Sequence, residues 1–168
     1  MSLPSPGDVF AFAVSSPDGV EVLLRVVDAQ AGACCVVMTR ACAPLKKTRA
    51  LFEVQPLAHH AWNRPVLGAW VTGGPPPTVK RVGAVPLRAG EAERVLHPER
   101  WVKQVVKTKA DAQRVVSLAS WDVLLRDVRL QWRWDHERAA VLAEDAARQR
   151  QQESCLLYTS PSPRDENG

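Results

Sequence analysis

Few side chains in this sequence are spaced for catalysis. General acid–base work needs a carboxyl whose pKa is raised in an apolar pocket. The paired carboxylates Glu91/Glu93 and Glu144/Asp145 stand instead in highly charged stretches and read as solvated faces. Gly73-Gly74 is followed by Pro75-Pro76-Pro77, not by a helix opening on Lys and Ser or Thr, so it makes no phosphate cradle. Cys34 and Cys35 lie in a β-like run, away from any helix start that would lower a thiol pKa, and no Gly-x-Ser-x-Gly elbow occurs. The reading is a protein without catalytic residues.

Binding chemistry has more candidates. His59-His60-Ala61-Trp62 offers metal ligands or a stacking ring, but adjacent strand positions point to opposite faces and cannot share one ion. With no Cys-x-x-Cys pair and with His97 and His136 far apart, no metal site and no cofactor are expected. A basic run, Arg100, Lys103, Lys107, Lys109 and Arg114 around Trp101, has the residue types that track a phosphate backbone. Such runs are also common on strand edges, where lysine discourages edge pairing.

Composition bounds the rest. At 46% hydrophobic and 24% charged residues the chain reads as globular, and its net charge of +4 suits nucleic acid or an acidic protein partner. The N-terminus lacks the basic and apolar regions of a secretory signal, and no apolar run is long enough to span a bilayer, so a cytoplasmic protein without a membrane partner is expected. Cys34, Cys35 and Cys42 are an odd set that suits a reducing compartment, and all three read as small buried residues. The run Cys155 to Asp165, CLLYTSPSPRD, back-translates codon by codon into a transposase-type sequencing adapter. Residues 155–168 are therefore read as non-native, leaving a β-rich unit over 1–118 and a helix packed on it over 119–154.

These candidates must be positioned by a sheet. Asp8 to Val14 is a short apolar run ended by the turn residues Ser15 to Gly19. In the next run Val20, Val22, Leu24 and Val26 alternate with Glu21 and Arg25, the pattern of a half-buried strand with its charges in water. After a turn over Asp28 to Gly32, Ala33 to Thr39 supplies a third strand of an antiparallel meander. Leu51 to Leu57, Val79 to Leu87 and Trp101 to Val106 read as further strands, with a short polar or helical segment at Gly90 to Leu96. Val71 to Pro77 is rich in breakers and is expected to run over the surface.

From Ser120, a candidate N-cap, the period changes to that of a helix. Trp121, Leu124, Leu125, Val128, Trp132, Ala139, Leu142, Ala143 and Ala146 share one face, and a second stripe, Val123, Leu130, Trp134 and Val141, lies opposite. Unbroken to Gln152 the helix would be on the order of 50 Å long, so a break near Asp135-His136 is considered. A helix apolar on two sides wants two neighbours, the sheet and something else. The fold class is α+β: an antiparallel meander or small barrel-like sheet with a long C-terminal helix.

Gly7-Asp8-Val9-Phe10-Ala11-Phe12, then Arg25-Val26-Val27, Leu51-Phe52-Glu53-Val54, Arg64-Pro65-Val66-Leu67-Gly68 and Pro75-Pro76-Pro77 together resemble the immunity protein 26 family of bacterial polymorphic-toxin systems, over residues 7 to about 87. The resemblance implies a cytosolic antidote that binds and blocks a cognate toxin, with neither cofactor nor catalysis. Trp and Arg dominate protein–protein hot spots, so Trp62, Arg64 and Trp70 are the first partner-binding candidates, followed by Leu130 and Trp134 on the spare stripe. The second reading is a small nucleic-acid-binding β-barrel. A third, a ribonuclease toxin, would need an acid or base placed beside Arg and Ser or Thr.

Overall fold

Alternating apolar residues near the start of the chain dictate a sheet. The computed structural model, which describes residues 3–14, 19–45, 67–96 and 116–159, contains one of six strands. Strands β1 (Asp8–Ala13), β2 (Glu21–Gln30) and β3 (Ala33–Cys42) form the expected antiparallel meander. Ala31 and Gly32, at φ 45° and 81°, close the β2–β3 hairpin; both central residues lie at positive φ, which matches the twist of the strands they join. β4 (Gly68–Thr72) pairs antiparallel with β3, β5 (Val79–Ala84) returns antiparallel to β1, and β6 (Val116–Ala119) runs parallel to β4. The order is β5-β1-β2-β3-β4-β6, an open sheet and not a barrel. Helices α1 (Glu91–Leu96), α2 (Trp121–His136) and α3 (Arg138–Thr159) complete an α+β fold. None of the described helices is long and apolar enough to cross a membrane. The strands expected at Leu51 to Leu57 and Trp101 to Val106, the His59-His60 pair and the basic run from Arg100 to Arg114 lie outside the described residues.

One face of the sheet packs on α2. Phe10 and Phe12 of β1, Val22, Leu24 and Val26 of β2, Val36 of β3 and Val71 of β4 meet Trp121, Leu124, Leu125, Val128 and Trp132. Ser120 caps α2 as its position predicts: its Oγ accepts from the Val123 amide at 3.2 Å, satisfying one of the helix's unpaired N–H groups. Trp121 fixes where the helix begins, its ring edge-on to Phe10 and its Nε1 donating to the Gly73 carbonyl at 3.3 Å.

Val71 corrects the expectation of a surface run. Fully buried, it belongs to β4, an inner strand between β3 and β6. The breakers after it end the strand without preventing it. Gly68 makes the pairing with β3 feasible, because a Cβ there would sit 2.7 Å from Val37 Cγ1 and 3.0 Å from the Val36 carbonyl.

The opposite face is buried too, which overturns the half-solvated reading of β2. Val9, Ala11, Leu23 and Ala41 form a second apolar cluster, and Arg25, flanked by Val9 in β1 and Val37 in β3, is only 1% exposed. A charge taken out of water must be repaid by partners. Arg25 Nη2 donates to the carbonyls of Val85 at 2.8 Å and Pro86 at 3.0 Å. It also lies 3.1 Å from Glu91 Oε2, within ion-pair distance. Glu91 is thus no solvated carboxylate: its side chain is 13% exposed, because α1 brings it to the arginine. Gly7 completes the arrangement: its amide donates to the Val26 carbonyl and its own carbonyl accepts from the Val85 amide, both at 2.8 Å. Its φ of 96° and the 3.0 Å that would separate an added Cβ from the Val85 carbonyl keep the position for glycine.

The long helix breaks at Glu137, where α2 ends. Beyond the break the predicted core stripe fails: Ala139, Leu142, Ala143 and Ala146 are exposed, as is every residue from Leu142 to Leu157. A straight helix would place residues eleven apart about 16 Å from each other along its axis. Arg133 nonetheless holds Glu144 with two hydrogen bonds, Nη1–Oε2 at 3.0 Å and Nη2–Oε1 at 2.6 Å, while its Nε donates to Glu137 at 3.1 Å. The clasp spans the break and sets the bend.

Replacing Arg25 with Ala strips the buried ion pair and leaves Glu91 with no countercharge. It is expected to destabilise the fold by about 3 to 5 kcal/mol, read from urea unfolding. The clasp carries a pH dependence. Hydrogen bonding from Arg133 holds the Glu144 carboxyl below its ordinary value. Its contribution is therefore complete above the unfolded-state carboxylate pKa and fades as pH falls through the depressed one. Small-angle scattering is expected to show a bend that survives mild acid and opens in strong acid, and that is already open at neutral pH in Glu144→Ala.

Candidate functional site

Five residues were singled out from sequence as a partner-binding set, and the fold does not bring them together. Trp62 and Arg64 lie outside the described residues. Trp70 sits in β4 between Ala69 and Val71, both of which face α2. Alternation along the strand therefore turns the Trp70 ring to the other side of the sheet, where it is half-buried. Leu118 of β6 is its partner in the parallel pair and shares its side, 74% exposed. These two apolar side chains form a small patch that sequence reading missed, because β6 carries no alternation of its own.

Leu130 and Trp134 do share a face. They are one turn apart on α2, and the buried residues of that helix, centred on Leu124, Val128 and Trp132, place both on the side away from the sheet. Leu130 and Val123 are about one-third exposed, at 36% and 37%. Trp134 is half-buried, and its Nε1 is enclosed without a hydrogen-bond partner. Arg138 holds the ring from above: its guanidinium carbon lies 4.9 Å from the ring centroid and its Nε donates to the Trp134 carbonyl at 3.2 Å. That contact crosses the helix break, and its four-residue spacing was a legible signal for a cation–π pair. A sheet and a helix layer separate this surface from the Trp70–Leu118 patch, so one partner segment cannot cover both.

The same helix end closes a cleft of about 310 Å³ against the end of β3. Trp132, Asp135, His136 and Arg138 line it from the helices, and Met38, Arg40 and Cys42 from the strand. The His136 ring stacks on Trp132 with centroids 4.6 Å apart and planes at 16°. Its Nδ1 is 3.0 Å from the Trp132 carbonyl, and since a carbonyl only accepts, Nδ1 carries the proton.

The cysteines divide into two kinds. Cys34 and Cys35 are buried in β3, and burial pushes their thiols up, with the Asp8 and Asp28 carboxylates adding smaller contributions: Cys34 to about 11 and Cys35 to about 12. Cys42, expected to be buried, is exposed, because it closes β3 where the strand leaves the core. Among the described residues no three His, Cys, Asp or Glu side chains gather as a metal site requires.

No protein-family model, curated protein or solved structure matches the chain. The functional reading therefore stands on the geometry and on the motifs of the sequence.

A disulfide-exchange reagent at neutral pH is expected to modify Cys155 quickly and Cys42, whose thiol partial burial pushes up, more slowly, while Cys34 and Cys35 react only after denaturant is added. Rapid labelling of all four would show that β3 is not packed as described.

Proposed function

We propose that this chain is a non-enzymatic, immunity-type protein that binds and neutralises a cognate bacterial toxin, and that the toxin docks on the outer face of α2. The observation that carries the docking surface is the pairing of Leu130 with Trp134, the latter held in one orientation by Arg138. A rigid aromatic ring beside an exposed aliphatic side chain offers apolar area at low entropic cost, and tryptophan and arginine are the types that dominate binding hot spots. Arg126 and Arg133 on the same helix are already paired, the first with Asp127 and the second with Glu137 and Glu144, so the border of this surface is charged without being net basic. The immunity reading itself rests on the resemblance carried by Gly7 to Phe12, Arg25 to Val27 and the blocks that follow. Two of its residues take structural parts: Gly7 and Arg25 belong to the hydrogen-bonded arrangement that ties β2 to α1. A cytoplasmic location belongs to the same proposal.

The decisive experiment co-expresses the chain with candidate toxins taken from the genes adjacent to its own, scoring growth rescue and co-purification. Rescue is expected with the unaltered chain. Leu130→Asp and Trp134→Ala should each weaken the complex by about tenfold or more, and Trp70→Ala on the far face should leave it unchanged. No rescue and no complex, together with binding to generic RNA that collapses steeply with salt, would overturn the proposal in favour of a nucleic-acid-binding module.

A further inference from the structure

The turn at Glu137 has no cause in the local backbone chemistry. Sharp helix kinks come from proline, from glycine or serine pairs, or from a side chain that enters the hydrogen-bond ladder. Trp134 to Ala140 contains no proline, glycine or serine. A side chain enters instead: Arg138 Nε donates to the Trp134 carbonyl at 3.2 Å, the acceptor that its own amide would use in a continuous helix. On either side the ladder holds, with the Glu137 amide donating to the Arg133 carbonyl at 2.6 Å and the Val141 amide to the Glu137 carbonyl at 3.0 Å. Glu137, at φ −130° and ψ 36°, is the residue between the two helices. Rotating it by about 70° in φ and about 80° in ψ restores helical dihedrals and joins α2 and α3 into one rod.

Among the described residues nothing beyond the turn resists that rotation. From Leu142 to Ser154 every residue of α3 is exposed, so no core contact fixes where the helix points. The bend is held by side chains at the surface: Arg133 on Glu144, which are 30% and 51% exposed, and Arg138 on Trp134. Exposed ion pairs contribute little and are screened by salt, whereas backbone ladder bonds are not. Both ends of the clasp also have partners in a continuous helix. Arg133 keeps Glu137 four residues on, a pair already present, and Glu144 meets Arg148 at the same spacing, in the favourable order with the acid first. The clasp and the rod exclude each other, because a continuous helix sets residues 133 and 144 about 16 Å apart.

We propose that Glu137 is a hinge between two exclusive states of residues 121–154, a bend clasped by Arg133 and Glu144 and a continuous helix, exchanged when the charge on that clasp is screened or removed. The exchange reaches both neighbouring surfaces. In the rod the Trp134 carbonyl returns to the Arg138 amide, so the guanidinium loses the bond that anchors it over the Trp134 ring and at the wall of the cleft beside β3. Two states of one segment that differ in exposed charge contacts form a switch that ionic conditions can bias. The hinge stands on helix geometry and is independent of the toxin reading.

The test is a spin-label distance measurement on the full chain, with labels at Asp122→Cys and Gln151→Cys in a Cys42→Ser, Cys155→Ser background; Cys34 and Cys35 are buried and stay unlabelled. A continuous helix sets the two labelled positions about 44 Å apart, and the bend brings them closer. At low salt the shorter distance is expected to dominate, and molar salt should raise the long-distance fraction about fivefold, the ratio that one exposed ion pair carries. Glu144→Gln should produce the same rise at low salt, and combining Arg133→Glu with Glu144→Arg should reverse it. Helical circular dichroism is expected to hold or increase as the distance lengthens, since the helix is extended and not lost. One distance indifferent to both salt and Glu144→Gln would overturn the inference, as would a broad spread of distances accompanied by loss of helicity. The salt series leaves the clasp residues unaltered, so it decides the matter whatever the charge variants do.

Discussion

A charged side chain in the middle of a sheet is the constraint around which this fold is arranged. Arg25 stands on the central strand β2 between Val9 and Val37, with almost no exposure to water. Its guanidinium is tolerable there only because the chain returns after β5 to present the Val85 and Pro86 carbonyls and then, one short helix later, the Glu91 carboxylate. The same return is anchored at Gly7, which bonds both to β2 and to Val85. The connection from β5 through α1 is thus pinned across the sheet by electrostatics and hydrogen bonds, where an apolar contact would have let it slide. Directional bonds of this kind select one arrangement of the second layer even where their net contribution to stability is modest.

The other layer is held by different physics. α2 lies on the sheet through large apolar side chains, and its start is fixed by Ser120, by Trp121 against Phe10, and by the bond from Trp121 to the Gly73 carbonyl. Its end is fixed by charge. Arg133 reaches Glu137 and Glu144 together, and this is possible only because the helical path turns at Glu137. The turn has two consequences for function. It sets Arg138 over the Trp134 ring, which shapes the outer surface of α2, and it brings Arg138 to the rim of the cleft beside β3. One arginine therefore borders both the outer surface of α2 and the cleft beside β3.

Much of this was written in local patterns. The meander from Asp8 to Cys42 follows from apolar alternation and two turns, the cap at Ser120 from its side chain and position, and the core stripe of α2 from period alone. The break near Asp135-His136 was legible from helix length, and the outward direction of Leu130 and Trp134 from their place opposite the core stripe. Such features depend on residues within a few positions of each other, where backbone geometry decides which side chains share a face.

What required the tertiary structure is every feature that joins distant segments. Alternation placed Arg25 in water and a highly charged stretch did the same for Glu91, because local patterns show which residues share a face but not whether a second layer will cover it; the return of the chain through α1 buries both. Val71 opened a breaker-rich run expected on the surface, and pairing of β4 with β3 and β6 made it core. Ala139, Leu142, Ala143 and Ala146 kept the helical period but lost the sheet, since the turn at Glu137 carries them off it. Residue order determined the local periods and the sign of each charge. The tertiary structure alone decided which of those charges meet, because burial and ion pairing depend on distances between parts of the chain that no local spacing contains.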